Sequence, residues 1–581
     1  MSSKIFIPSI NPFIWLYLLL TGKLLSGVVC FRHKFVPTWR VERIRTSNLD
    51  SKIFSELHVK AIDFSKQKIS QDKAARISIE GTTIDLSVFQ YRKLISYVSD
   101  IMVSAFVLKT SGIKGVAYIE TSLLFGANLE NLEEWLASNS SLEPRRSIFI
   151  GIIYPVLNRS LLILFSVIIY MKDGLRWKYK STQVYDYIFN QVTPTDNLTD
   201  HKKNLSCSIL SAITDKAHLN INYIIKCGST RKKWKNNGFN TIRSLTDLPV
   251  RPNFMSLVNS ASSIMARHVS LNEPSSLLSV INLAYMNSAI KKSIVNGYIS
   301  TVSCIESIPI EALAFRAHNK PTSILFYSST MFHHVNMSYI SFDHAFVWNE
   351  LQKDFVLSFP QENNLRFHVM GPVMFSDDGY PDKKTRKSCN DEIIIGIYDV
   401  TPKPDQLIDN VRITTNYTID YYKKFFEDIL KLKNLDARIR LKNKQKRNEF
   451  QASNIDFSDV FMEPSNMNPY QSIDGCDIVI CMPYTSIYFA AEHRSVPAIF
   501  YSSFDNYFYN GLKELDDKLI IGEDDLFKEV SKIIKQLDQD FDDKALLRKI
   551  EKRKSQPTPM MEVRNILQQL LGHNKKNQGY Q

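Results

Sequence analysis

The sequence predicts an α/β protein built from two lobes of parallel sheet, with an additional N-terminal region. The first observation is length, because 581 residues are too many for one hydrophobic core. The second is that short apolar runs alternate with helix-like stretches from about residue 204 onward, which is typical of parallel sheets. The third is a polar segment at 376–390 with Gly379 and Pro381, which divides the alternating series into two lobes.

The N-terminal region, residues 1–190, has a mixed character. Apolar residues predict strands at Ala105–Leu108 and Gly115–Glu120, and the pattern of Leu129–Ala137 predicts a helix. The polar segment 191–203 contains Pro194, so we expect it to link this region to the first lobe.

The first lobe is expected at residues 204–375. Its apolar runs have the length of buried strands, and the longer stretches between them have helical periodicity. The predicted elements are strands at His218–Lys226, Tyr298–Cys304, Thr322–Tyr327, His344–Trp348 and Phe367–Met370, and helices at Ala261–Arg267, Leu277–Ser288 and Pro309–Ala317.

The second lobe is expected at residues 390–541, and the charged C-terminal tail at 542–581 ends in polar residues that are expected to fray. Two such lobes indicate two Rossmann-like sheets, whose ligands bind outside the carboxyl ends of the strands. The predicted elements of the second lobe are strands at Ile393–Tyr398, Ala437–Leu441, Asp477–Ile480, Val496–Tyr501 and Lys518–Ile521, and helices at Tyr421–Leu432, Ile487–His493 and Asp524–Asp538.

Charge and cysteine usage restrict the class of partner. The net charge of +13 favours acidic partners such as an anionic lipid surface, a nucleotide phosphate or a nucleic acid. No zinc-finger spacing and no aromatic RNA-binding motif accompany the basic runs, so we expect no nucleic-acid partner. The seven cysteines are scattered without a Cys-x-x-Cys pair, which argues against a metal site or a disulfide framework and suits a reducing cytoplasm.

Two apolar segments bear on membrane contact. The segment Pro12–Cys30 is interrupted by Lys23 and lacks a clear cleavage site, which argues against a secretory signal. The segment Ser147–Met171 carries Arg159 in its middle, which argues against a membrane-spanning helix. Basic and aromatic residues follow it at 172–180, so it is either an interfacial helix or a buried core helix. The interfacial alternative places the protein at the inner face of the plasma membrane.

The most informative local pattern is Cys476–Ser486. An acidic residue opens a short apolar run, Pro483 ends it, and Thr485 and Ser486 fall where the next helix begins. Unpaired backbone N–H groups and the helix dipole favour an anion at such a position, and a nucleotide phosphate would suit it. An ordinary helix cap that binds no ligand is the alternative.

This segment resembles the polysaccharide biosynthesis PFTS motif proteins, whose Pro-Phe-Thr-Ser motif reads Pro-Tyr-Thr-Ser at 483–486 here. Three further segments support the resemblance: Leu365–Val373 with its Gly-Pro-Val turn, Ile393–Pro402, and Leu441–Lys444, where Asn443 replaces the proline of Lys-Pro-Lys. It covers about residues 295–535. The resemblance implies a GT-B fold, a bacterial origin and a glycosyltransferase that uses a nucleotide sugar and needs neither a cofactor nor a metal.

Candidate donor residues lie at the predicted strand ends of the second lobe. Positive charge and helix amides there would stabilise the phosphate that leaves with the nucleotide, and a carboxylate could contact the ribose. The candidates are Asp399, Thr401, Lys442, Lys444, Tyr484, Thr485, Ser486 and Asp505.

Candidate catalytic residues lie in the first lobe. An acceptor hydroxyl needs a general base, which a histidine or a carboxylate can supply. Glu306, His333 and Asp343 are the candidates, and helix-dipole compensation explains the nearby Glu311 more simply.

Three functions remain open from the sequence. The first is transfer of a sugar from a nucleotide-sugar donor to a surface polysaccharide or a lipid-linked glycan. The second is transfer of a polyol phosphate for a cell-surface polymer, which would leave phosphate in the product linkage. The third is a non-catalytic scaffold for glycan assembly, which would bind no nucleotide.

Overall fold

The computed structural model of the chain is organised around three parallel β-sheets. It describes residues 4–10, 12–21, 23–33, 41–43, 51–69, 76–118, 130–140, 142–145, 160, 164, 167–168, 170–171, 184–190, 223–226, 241–242, 248, 250–255, 257–258, 274–300, 311–326, 340–359, 361, 364–372, 392–398, 407–408, 411–412, 419–435, 437–442, 460–463, 469–482, 485–503, 517–539, 562–563 and 565–570. The predicted linkers at 191–203 and 376–390 and the predicted helix Ala261–Arg267 lie outside these residues.

The N-terminal region forms the first sheet. Its elements are β1 (Lys4–Ile10), α1 (Pro12–Leu20), β2 (Val28–His33), β3 (Val41–Arg43), α2 (Ser51–Ile69), β4 (Arg76–Ile79), β5 (Thr82–Asp85), α3 (Ser87–Thr110), β6 (Gly115–Tyr118), α4 (Glu130–Asn139) and β7 (Leu142–Arg145). The strand order is β3-β2-β1-β6-β7, and every pairing is parallel. This region is therefore a doubly wound α/β unit, which the sequence patterns did not predict.

One predicted strand of this region is wrong. The residues Ala105–Leu108 lie inside helix α3. Ile95, Val98, Met102 and Ala105 are buried and recur at helical spacing, so the apolar run is one face of a helix packed on the core. The strand at Gly115–Tyr118 and the helix at Glu130–Asn139 are confirmed.

A hairpin joins the first sheet to the rest of the molecule. Strands β4 and β5 pair antiparallel, and Glu80 and Gly81 connect them with φ values of 50° and 81°. Two successive positive φ values are typical of a type I′ hairpin turn. The Glu80 carboxylate accepts hydrogen bonds from the Asn253 N–H at 2.7 Å and from the Ser288 hydroxyl at 2.7 Å. The turn is therefore bound to Asn253 and to the helix that contains Ser288.

The second sheet contains seven strands. Its elements are β8 (Tyr185–Asn190), β9 (Tyr223–Lys226), β10 (Thr241–Ile242), α5 (Pro274–Lys291), β11 (Val295–Ser300), α6 (Glu311–Ala317), β12 (Thr322–Leu325), β13 (His344–Val347), α7 (Glu350–Leu357) and β14 (Arg366–Val369). The order is β10-β9-β8-β11-β12-β13-β14, again with parallel pairing throughout. The sheet starts at Tyr185, earlier than the expected start of the first lobe at 204.

The third sheet contains six strands. Its region comprises β15 (Ile393–Tyr398), β16 (Leu407–Ile408), β17 (Val411–Arg412), α8 (Ile419–Leu430), β18 (Ala437–Lys442), β19 (Phe461–Glu463), α9 (Pro469–Asp474), β20 (Ile478–Cys481), α10 (Ser486–His493), β21 (Ala498–Ser502), β22 (Leu519–Ile521) and α11 (Glu523–Gln539). The order β19-β18-β15-β20-β21-β22 is the Rossmann order, and the pairings are parallel. The prediction of two Rossmann-like lobes is confirmed.

Part of the expected C-terminal tail packs on the second sheet. Residues 562–563 and 565–570 are helical, and the side chains of Val563 and Leu567 are fully buried. The buried Tyr187 hydroxyl donates a hydrogen bond to the Leu567 carbonyl at 3.0 Å. These residues are therefore part of the core. Across the described ranges, the chain has no helix whose length and apolar character would let it cross a membrane.

A pair of histidines lies near the amino edge of the second sheet. His344 Nδ1 and His368 Nε2 are 2.9 Å apart across β13 and β14, so one imidazole donates a hydrogen bond to the other. Burial lowers the pKa of His344 to about 4, and the neighbouring His368 and Arg366 add to that effect while Asp343 opposes it. Burial also lowers the pKa of His368. The pair is therefore neutral at neutral pH.

This pair predicts a loss of stability in mild acid. The unfolded chain binds a proton at His344 near its ordinary pKa of about 6.5, while the folded state resists protonation until about pH 4. The free energy of unfolding should therefore fall as the pH drops from neutrality through this window. We expect His344→Gln to show a smaller fall between about pH 7.5 and about pH 5 in urea denaturation.

The matched control is His493→Gln, which removes an imidazole at the last residue of α10. Equal pH dependence in His344→Gln and the unsubstituted protein would contradict the assignment.

Candidate functional site

The third sheet reverses its strand order between β15 and β20. From β15 the chain moves outward to β18 and β19, and it then returns to β20 on the other side of β15. The connections that follow these two strands therefore run in opposite directions. A crevice opens outside the carboxyl ends at such a switch point, and this is where open α/β sheets bind their ligands.

The two strands end at the same level. Tyr398, the last residue of β15, pairs with Cys481, the last residue of β20. The pairing continues one residue further, because the Met482 N–H donates a hydrogen bond to the Tyr398 carbonyl at 3.0 Å. The residues that follow both strands therefore leave from one edge of the sheet.

Helix α10 begins at this edge with an unusual cap. Thr485 occupies the N-cap position with extended backbone angles, φ −72° and ψ 140°, but its side chain makes no capping hydrogen bond. Its hydroxyl oxygen is buried and has no hydrogen-bond partner among the residues that the structure describes. An N-cap threonine normally accepts a hydrogen bond from an amide of the first turn. The Thr485 hydroxyl and the first amides of α10 are thus candidates to bind an anion together.

Aromatic packing holds helix α10 in place. The Tyr488 ring stacks on the Phe500 ring with centroids 4.0 Å apart, and Phe489 meets Phe500 edge to face at 6.0 Å. Tyr488 and Phe489 are buried, and burial raises the pKa of the Tyr488 phenol. This packing fixes helix α10 against β21, so that the first turn of the helix lies at the switch point.

A buried polar network lies beside the switch point. The Tyr398 hydroxyl and Ser472 Oγ are 2.5 Å apart, and Ser472 Oγ donates to Glu463 Oε2 at 2.5 Å. Arg440 forms an ion pair with Glu463, which is 2% exposed. The network links the ends of β15 and β19 to α9 and to β18. Sequence reasoning missed it, although Arg440 between apolar neighbours in a predicted strand was an available sign.

The structure brings three candidate donor residues to this edge. Thr485 and Ser486 begin α10, and Lys442 ends β18, where its backbone pairs with Glu463. The remaining donor candidates and two of the catalytic candidates lie outside the described residues: Asp399, Thr401, Lys444, Tyr484, Asp505, Glu306 and His333.

Asp343 lies at the opposite edge of its sheet. It precedes β13, where its carboxylate accepts hydrogen bonds from the Thr322 N–H at 3.2 Å and the Thr322 hydroxyl at 2.8 Å. Arg316 lies 3.4 Å from the same carboxylate. Residues that precede a parallel strand lie at its amino edge, so the structure does not place this candidate at the carboxyl ends of the strands. Asp343 instead connects the starts of β12 and β13.

Glu311 is a buried carboxylate that follows β11. It is the first residue of α6, is 4% exposed, and accepts a hydrogen bond from the Asn282 amide at 3.1 Å. Helix-dipole compensation alone would not require burial, so its environment is more specific than the sequence suggested. Within the described ranges, no group of three or more His, Cys, Asp and Glu side chains converges as metal ligands would.

This chain is similar to several solved structures at low sequence identity. MurG from Acinetobacter baumannii matches with 12% identity over 66% of this chain and 99% of its own, with a TM-score of 0.38. A UDP-glucosyltransferase from Polygonum tinctorium matches with 8% identity over 68% of this chain and 100% of its own, at a TM-score of 0.37. The wall teichoic acid polymerase TagF matches with 12% identity over 73% and 98%, also at 0.37. The description of the fold is therefore based on the strand orders of the three sheets and not on these TM-scores.

The family comparison bears directly on the switch point. No curated protein sequence matches the chain. The family model described as polysaccharide biosynthesis PFTS motif protein matches residues 263–529, which span β11 to β14 and every strand of the third sheet. The Pro-Tyr-Thr-Ser segment at 483–486 therefore lies inside the match. Over residues 263–529, the resemblance of this chain to the polysaccharide biosynthesis PFTS motif proteins is confirmed.

Proposed function

We propose that this protein is a glycosyltransferase that moves a sugar from a nucleotide-sugar donor to a surface polysaccharide or a lipid-linked glycan. The observation that carries the proposal is the buried hydroxyl of Thr485, which has no hydrogen-bond partner among the described residues and lies at the switch point of a Rossmann-ordered sheet. That hydroxyl lies within the segment that matches a polysaccharide biosynthesis family. A hydroxyl at the start of a helix suits a nucleotide phosphate, because the helix dipole favours an anion there.

The donor side of the reaction needs positive charge at the leaving group. The acceptor oxygen forms a bond to the anomeric carbon while the bond from that carbon to the donor phosphate breaks. Negative charge therefore builds on the phosphate oxygens, where the first amides of α10 and the Thr485 and Ser486 hydroxyls stabilise it. Lys442 and Lys444 add cationic charge, and Asp399, Thr401, Tyr484 and Asp505 complete the nucleotide site. No cofactor is invoked, because these groups supply the charge.

The acceptor side needs a group that takes the proton of the attacking hydroxyl. Glu306 and His333 keep this role in the proposal, since they follow strands β11 and β12 in the sequence. Asp343 is not included, because it lies at the amino edge and is held by Thr322 and Arg316.

An anionic membrane surface is proposed as the place of action. Leu164, Ile168 and Met171 are 54%, 47% and 64% exposed and recur at the spacing of one helix face. The sequence then continues with Lys172, Arg176, Trp177, Lys178 and Lys180. Exposed apolar side chains beside cations and an aromatic residue suit a peripheral helix at the cytoplasmic leaflet.

The nucleotide site is tested with Thr485→Val. Valine keeps the shape but removes a hydroxyl whose buried oxygen has no described partner, so the free protein should be at least as stable. Nucleotide affinity should fall about tenfold, because a hydrogen bond to a charged phosphate is lost. The measurement is a thermal-shift screen against UDP, GDP, dTDP, CDP and CMP, followed by calorimetry with the best ligand.

Thr110→Val is the matched control, because the Thr110 hydroxyl donates to the Phe106 and Val107 carbonyls in the last turn of its own helix α3. If no nucleotide stabilises the intact protein, the proposal fails and a scaffold function is favoured. Phosphate in the product linkage would replace sugar transfer by polyol-phosphate transfer.

The membrane surface is tested with Leu164→Gln combined with Ile168→Gln. Both side chains are exposed, so the fold should be retained, while binding to vesicles should weaken about tenfold through loss of apolar contact. Flotation with phosphatidylglycerol vesicles measures the effect, and Leu357→Gln, which changes another exposed leucine, is the control. Equal flotation of all variants, or equal binding to neutral phosphatidylcholine vesicles, would refute the membrane assignment.

A further inference from the structure

A cavity of about 730 Å³ lies where three parts of the chain meet. Hairpin strand β5 and the start of α3 form one wall, the amino edge of the second sheet forms another, and Leu570 of the C-terminal helical residues closes a third. Its volume is within the range of small-molecule sites, and meeting points between structural units are common places for them.

Three cations line this cavity: Arg316, Lys320 and Arg366. Two carboxylates line it as well, but each has a cation of its own. Asp343 lies 3.4 Å from Arg316, and Asp85 lies 3.6 Å from Arg76. Within the described part of the chain, neither Lys320 nor Arg366 has an ion-pair partner, so the cavity holds an excess of positive charge.

Lys320 is the more confined of these two cations. Its ammonium has only a long contact of 3.5 Å with the Asn296 side-chain oxygen, and burial lowers its pKa. A partly desolvated cation without a counter-ion is costly, and a bound anion would offset that cost. Arg366 adds a planar fork of N–H donors, which suits a carboxylate or a phosphate.

The uncharged lining suits a sugar. Asn319 and Asn364 carry side-chain amides that make no hydrogen bond to other described residues, so their donors and acceptors are available to hydroxyl groups. Leu570 supplies an apolar surface, against which the C–H face of a sugar ring can pack. Most of the residues that line the cavity are polar or charged, which suits a ligand with many hydroxyl groups.

We propose that this cavity binds an anionic sugar, a saccharide unit that carries a phosphate or a carboxylate group. The anion contacts Lys320 and Arg366, and the ring hydroxyls contact Asn319 and Asn364. The site lies at the amino edge of the second sheet, whereas the proposed nucleotide site lies at a carboxyl edge of the third. Both ligands can therefore be bound at once, and the anionic sugar site does not depend on the proposed transfer reaction.

The test is calorimetry on the complete chain in the presence of a saturating concentration of the nucleotide that the thermal-shift screen selects from UDP, GDP, dTDP, CDP and CMP, which blocks the proposed nucleotide site. The probes are glucose 6-phosphate and glucuronic acid, with glucose and inorganic phosphate as comparison ligands. We expect at least one anionic sugar to bind, and to bind about tenfold more weakly to Lys320→Met combined with Arg366→Gln. The two probes distinguish a sugar that carries a phosphate group from a sugar that carries a carboxylate group.

A double variant on helix α11, Lys528→Gln with Lys532→Gln, removes two exposed cations outside the cavity and should bind normally. If the cavity variant does not fold, Asn364→Asp places a carboxylate in the cavity at an exposed position and should weaken binding equally.

The proposal is overturned if neither anionic sugar binds, if the cavity variants bind as tightly as the unsubstituted protein, or if glucose binds as tightly as the two anionic probes. Inorganic phosphate binding as tightly as glucose 6-phosphate would also overturn it, because the cavity would then recognise an anion and no sugar. Retained affinity of the cavity variants for the nucleotide selected in the thermal-shift screen separates these outcomes from failure of the nucleotide site.

Discussion

The parallel pairing of β15 with β20 is the constraint on which the candidate site depends. These two strands are adjacent in the sheet although α8, β18, β19 and α9 lie between them in the chain. Because Tyr398 pairs with Cys481 and bonds to Met482, the segments that follow both strands leave one edge together. A shift of one residue in this register would turn every side chain of β20 to the other face and would displace Thr485.

Burial of polar groups around that edge supports the pairing. Tyr398, Ser472, Glu463 and Arg440 form a connected network in a region with almost no solvent, where each unpaired member would be costly. Thr485 differs from the Tyr398, Ser472 and Glu463 side chains, since its buried hydroxyl has no described partner. Buried polar groups normally have a hydrogen-bond partner, and a catalytic or ligand-binding role is one reason why a protein keeps an unsatisfied one.

The N-terminal region is joined to the second sheet through polar contacts at one hairpin turn. Glu80 accepts hydrogen bonds from Asn253 and Ser288, and Asn287 bonds to the Ile79 carbonyl. His318 lies 2.9 Å from the Asn287 side-chain oxygen and 3.4 Å from the Thr82 hydroxyl. The same hairpin also lines the cavity at the amino edge of the second sheet. It therefore contributes both to the contact between the two units and to the proposed anionic sugar site.

The sequence by itself determined the local elements of the third sheet and the position of its motif. Short apolar runs bounded by polar turns placed β15, β18, β20 and β21 within two residues of their bounds, because strand burial is a local property of the chain. The same reasoning failed in the N-terminal region, where the apolar run at Ala105–Leu108 could be a strand or one face of a helix. Only tertiary packing decides between those two.

Tertiary structure alone decided strand order, and strand order decided which residues meet. The hydrogen bonds between Asp343 and Thr322 join the starts of two strands that are separated in the chain. The network around Glu463, the burial of Glu311 and the cavity between hairpin and second sheet are also contacts between distant segments. Such contacts depend on how sheets and helices pack, which the periodicity of a single segment does not encode.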